Sequence, residues 1–105
     1  MQQVHFCSGS VFVTGDRIAM SLMQYVQTVV AVRKSDIVAV PVLTRAGDAG
    51  TVTLMVNEVS QISADSYEPV GPELADDEFV SRLEALSTGL RASTVWLGED
   101  GPFAA

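Results

Sequence analysis

Residues 14–43 constrain the fold of this chain more than any other segment. They set one long helical pattern, TGDRIAMSLMQYVQTVVAVRKS, directly before one strongly apolar run, DIVAVPVL. Ile18, Leu22, Tyr25, Val26 and Val29 recur at helical spacing and form a core-facing stripe. Arg17, Ser21, Gln24 and Thr28 form the opposite, wet stripe. Ala19, Met23, Val30 and Val32 widen the apolar arc beyond what one sheet face needs. The late valines lower intrinsic helix propensity, so tertiary packing must hold the last turns. Thr14 or Asp16 serves as N-cap, and an aspartate there suits the positive end of the helix dipole.

The apolar run reads as a strand over residues 37–43. Val38, Val40 and Val42 share one face, and Ile37, Ala39, Pro41 and Leu43 share the other. Both faces are apolar, which calls for cover on both sides. Pro41 has no N–H to donate, which places it at an edge or a bulge. An edge strand buried by a second subunit satisfies both demands. Met23, Val30, Ile37, Ala39, Pro41 and Leu43 are therefore the expected interface residues.

The remaining segments read as pairing or cover for this unit. Residues 3–7 alternate, with Val4 and Phe6 on one face and Gln3, His5 and Cys7 on the other. Residues 11–13 form a second extended piece after a Ser-Gly-Ser turn. Residues 44–50, TRAGDAG, make a hairpin loop, and the strand returning over 51–57 turns Val52, Leu54 and Val56 inward. Residues 57–62 continue as extended chain or a short turn, and residues 63–72 carry no periodicity and read as a loop. A second helix is expected over about 76–88, with an acidic start and a stripe of Phe79, Leu83, Leu86 and Leu90. Gly89 fits its left-handed cap. A last short strand is expected at 94–97, followed by a poorly ordered tail over 98–105.

The expected fold is thus α+β, a two-layer sandwich. A mainly antiparallel sheet of three to five short strands is covered by one long and one shorter helix, in a single domain over residues 1–97. A chain of 105 residues can bury such a core without staples.

Charge narrows the partners. Thirteen acidic side chains against six basic ones leave a formal net charge of −7, and the basic residues are scattered. Phosphate backbones and anionic membrane surfaces are recognised by clustered Lys and Arg, so neither nucleic acid nor a membrane is an expected partner. The start MQQVHFCSGS lacks the basic end and long apolar run of a signal peptide, and the lone cysteine fits a reducing compartment. The expected location is the cytoplasm.

Few residues offer chemistry. His5 and Cys7 share a strand face, and an imidazole beside a thiol is a known way to activate a nucleophile. Successive same-face residues stand ~6.5–7 Å apart, too far for a direct hydrogen bond unless the side chains lean together. Glu58 is a further acid–base partner for His5 if the sheet brings them together. Asn57, Ser60 and Gln61, with Glu58, form a polar cluster after a core strand and are the ligand-binding candidates. The simpler reading is a buried thiol and a strand end that turns polar at the surface. One histidine and one cysteine are too few for structural zinc, and no calcium-loop or phosphate-loop motif is present, so no metal or cofactor is expected. No matched acid, base and nucleophile stand out. The apolar surplus therefore favours a non-catalytic protein-association module, a homodimer open to a further protein partner. The alternative is a small enzyme or ligand-binding protein using His5, Cys7, Glu58 and the 57–61 cluster.

Overall fold

A computed structural model describes residues 1–7, 9–68 and 71–100, with side chains through Ala92. The elements in chain order are β1 (Gln2–Phe6), β2 (Ser10–Thr14), α1 (Asp16–Val32), β3 (Asp36–Leu43), β4 (Ala49–Val56), β5 (Ile62–Ser66) and α2 (Asp77–Asp100). The strands make one antiparallel sheet in the order β4-β3-β2-β1-β5. Two hairpins, β1–β2 and β3–β4, are joined by α1, and β5 closes the far side of β1. The expected α+β class and the pairing of β3 with β4 are both present.

Strict alternation decides which side chains enter the core. Val4, Phe6, Phe12, Val38, Val40, Val42, Leu54 and Val56 point from the sheet toward the helices. There they meet Ile18, Leu22, Tyr25, Val26 and Val29 of α1 and Phe79, Val80 and Leu83 of α2. Burying one such side chain contributes about 1.5–3 kcal/mol, so this face holds most of the favourable free energy. Tyr25 adds a polar tie, because its hydroxyl donates to Asp36 Oδ2 at 2.6 Å and so fixes α1 to the start of β3. Burial first, and then that bond to the carboxylate, push the phenol well above its ordinary range.

Several local expectations are corrected. Ser21 and Thr28 are buried rather than wet. Each donates its hydroxyl back along the helix, to Ile18 O and Gln24 O. Ser87 of α2 is buried as well, and α1 and α2 pack against one another. On α2, Leu86 is 42% exposed and Val80 takes its place in the core. Residues 63–66, expected as loop, form β5 together with Ile62. The five residues ISADS hold too little periodicity to announce a strand, and pairing along the whole of β1 orders them.

Gly89 does not end α2. The helix continues to Asp100, so the strand expected at 94–97 is helical, and residues 98–100 of the expected tail belong to α2. Residues 101–105 lie outside the described residues. A helical glycine costs only about 1 kcal/mol relative to alanine, and Leu90, packed against the core, outweighs it.

Pro41 lies in the part of β3 beyond its single pair with β2, so on that side it stands at an edge, as its missing N–H requires. Its oxygen accepts from the Thr14 hydroxyl at 2.7 Å, so its backbone points toward β2 and away from β4. The β4 ladder therefore loses nothing, and β3 keeps all eight of its pairings with β4. On the other side, β2 meets β3 at a single pair, Val13 with Leu43, and stops. Thr14, expected as a helix cap, spends its hydroxyl on Pro41, and the N-cap is Gly15, which has no side chain to offer. A Cβ on Gly15 would overlap the carbonyl oxygen of Leu74.

Two glycine substitutions test this packing in opposite directions. Gly15→Ala is expected to destabilise the fold by about 1–3 kcal/mol, as overpacking against a backbone does. Gly89→Ala meets nothing within 4 Å and is expected to stabilise by up to about 1 kcal/mol. Chemical denaturation of both variants reads the signs. A loss of stability in Gly89→Ala would mean that the residue caps a helix end after all.

Candidate functional site

Helices cover one face of the sheet. On the other, register sets the side chains in rows. One row crosses all five strands as Ala49, Leu43, Val13, Gln3 and Asp65. Beyond it the β3–β4 hairpin extends past the end of β2 and carries the pairs Pro41–Thr51, Ala39–Thr53 and Ile37–Met55. Ile37 is 65% exposed, Met55 67% and Val11 55%, while Pro41 and Leu43 are half-buried and Ala39 is exposed. The β2-β3-β4 part of this face is largely apolar, with Thr51 and Thr53 as its polar members. The β1–β5 part is polar, with Gln3, His5, Ser63 and Asp65.

The six residues expected at an interface fall into two places. Ile37, Ala39, Pro41 and Leu43 stand together on the uncovered face. Met23 and Val30 are half-buried on α1, on the helix side of the sheet. They line a groove of about 780 Å³ between α1 and β5, together with Met20, Gln27, Ile62 and Ala64. The groove lies where α1 approaches β5, whose Ile62 and Ala64 pack against the edge of the core.

The residues with chemical promise are separated. Cys7 is exposed and lies past the end of β1, at φ 55°, so it does not continue the face of His5. Its N–H donates to Gln61 O at 2.7 Å, which places it at the end of the sheet. His5 Nε2 lies 3.4 Å from Asp65 Oδ2, and both side chains reach solvent, so the contact is worth little. The 57–61 cluster is largely consumed in its own turn. Asn57 Oδ1 accepts from Val59 N–H at 3.0 Å, and Ser60 Oγ accepts from Asn57 N–H at 2.9 Å. Among the described residues, no three His, Cys, Asp or Glu side chains form a metal site, and no helix is long and apolar enough to cross a membrane.

One polar constellation had no signal in the sequence. The amino group of Met1 lies 2.9 Å from both Asp16 Oδ1 and Glu73 Oε1. Glu73 Oε2 accepts the Asp16 N–H at 2.6 Å, so a residue 57 positions away caps α1 in place of Gly15. The bond to Glu73, and then that to Asp16, raises the pKa of the amine above its ordinary 8.0. The ammonium in turn, ahead of their other hydrogen bonds, lowers both Glu73 and Asp16. These groups fasten β1, the start of α1 and the segment leading into α2.

A pH dependence of stability follows from those directions. The amine contributes fully below about 8.0 and loses its contribution as pH rises through its raised value. Glu73 and Asp16 contribute fully above 4.5 and 3.8 and lose their contributions as pH falls through their lowered values. Thermal unfolding from pH 2 to 10 is expected to show a plateau with a decline on each side. Glu73→Gln is expected to lower the plateau and flatten both declines, and unchanged limbs in that variant would remove the clasp from the account.

Comparison of the chain with protein-family models, with curated proteins and with solved structures finds no match.

Proposed function

We propose that this chain is a non-catalytic association module that acts as a homodimer, with the β3–β4 hairpin as its contact region. The observation that supports it most is the pair Ile37–Met55. Two large apolar side chains lie directly opposite one another, each about two-thirds exposed, on a sheet face without helix cover. Ala39, Pro41 and Leu43 extend the same strip, and hydrophobic strips of this kind on small domains mark interaction surfaces. Electrostatics point to the same region. Two copies that each carry −7 repel, so they can meet only where charge is sparse, and residues 37–43 and 49–56 contain no charged side chain.

Sedimentation at micromolar concentration tests this reading. The expected result is a species of twice the 11.2 kDa chain mass. Met55→Glu is expected to weaken association at least tenfold, roughly 1.4 kcal/mol, while leaving the fold intact, because the side chain it replaces is exposed. A monomeric parent protein at that concentration would count against the proposal.

A further inference from the structure

Among the described residues the sheet leaves several stretches of strand edge unpaired, residues 10–12 of β2 among them, and the chain treats three of the others differently. The first is the side of β3 past the end of β2. It is blocked at one end by Pro41, which has no N–H, and at the other by Asp36, whose Oδ1 accepts the Ile37 N–H at 2.8 Å. The second is β5, which is five residues long and bears Asp65. Prolines, charges and short strands are the usual devices that stop a sheet edge from recruiting another strand. The third is the outer edge of β4. It runs over eight residues, AGTVTLMV, with no charge and no proline.

Register fixes which groups this edge offers. The Pro41 backbone points away from β4, so Pro41–Thr51 is a pair without ladder hydrogen bonds, and the same holds for Ala39–Thr53 and Ile37–Met55. The N–H and C=O groups of Thr51, Thr53 and Met55 therefore point outward, where no strand among the described residues receives them. From this we infer that β4 is a strand-addition site whose occupant is the β4 of a second copy.

The two strands run antiparallel about a two-fold axis at Thr53. Thr53 then pairs with its own copy and Thr51 with Met55, each pair exchanging both backbone hydrogen bonds. This register sets no like charges opposite one another and puts threonine beside threonine, a favourable cross-strand neighbour. An antiparallel strand is self-complementary under a two-fold, so the contact closes at two copies. The two sheets become one of ten strands, and the apolar strips of both hairpins join on a common face.

This inference rests on the self-association proposed above and adds its geometry. In a background carrying Cys7→Ser, we would oxidise Thr53→Cys and Thr51→Cys in parallel and sediment the parent protein beside them. Edge pairing brings the two Thr53 Cα atoms to about 5.5 Å, within disulfide reach, and leaves the two Thr51 Cα atoms about 14–15 Å apart. The expected result is a dimer in the parent and disulfide formation at least tenfold faster for Thr53→Cys than for Thr51→Cys. A dimer in which neither variant crosslinks, as when sheets stack face to face about 10 Å apart, overturns edge pairing and leaves self-association standing. A monomer overturns both.

Discussion

Burial of one sheet face by two helices, with no described helix or strand over the other, is the constraint from which the rest of this structure follows. Alternation along β3 sends Val38, Val40 and Val42 under α1 and α2, where each is at most 5% exposed. The same alternation sends Ile37, Ala39, Pro41 and Leu43 to the opposite side, where they meet water. A strand apolar on both faces is typical of a sheet covered on both sides, and here the described helices cover one of them. The single-chain core is complete without it, since residues from both helices and four of the five strands close into one cluster. The outward strip is therefore surplus to the stability of the monomer and free to serve a contact.

The helix layer is held in place by groups far apart in sequence. Tyr25 ties α1 to Asp36, and the Met1 amine with Asp16 and Glu73 ties the first strand, the first helix and the approach to the second. Glu73 fills the role of an N-cap that neither Gly15 nor Thr14 supplies. Thr14 is engaged with Pro41, which ends the β2–β3 ladder early and lets the β3–β4 hairpin project. One proline thus shapes both the staggered outline of the sheet and the defence of its inner edge.

Legibility in the sequence tracked the strength of local pattern. The stripe of Ile18, Leu22, Tyr25, Val26 and Val29 and the alternations over 37–43 and 51–57 were strong enough to fix α1, β3, β4 and their inward residues. The two-faced character of 37–43 also pointed to an exposed strip. β5 escaped because ISADS contains only two apolar residues and becomes a strand through β1. The end of α2 is not legible because Gly89 looks like a cap by composition, whereas packing by Leu90 carries the helix past it. Ser21 and Thr28 looked wet because hydroxyls that bond within their own helix can be buried without penalty. The pairing of His5 with Cys7 failed because β1 ends at Phe6 and Cys7 turns away. The Met1–Asp16–Glu73 clasp was illegible in principle, since a carboxylate 57 residues away leaves no local trace. Met23 and Val30 were recognised as surplus, but only the sheet order separates them from Ile37 and places them beside β5.

Amide hydrogen exchange read residue by residue at two protein concentrations reports whether a second strand lies along the outer edge of β4. The amides of Val52 and Leu54 face β3 and are protected by the fold itself, whereas those of Thr51, Thr53 and Met55 face outward and can be protected only by a second strand. These three amides are expected to exchange slowly in concentrated solution and to become fast on dilution, while Val52 and Leu54 stay slow throughout. Fast exchange at Thr53 in concentrated solution, under conditions where Val52 and Leu54 are protected, would contradict a second strand at that edge.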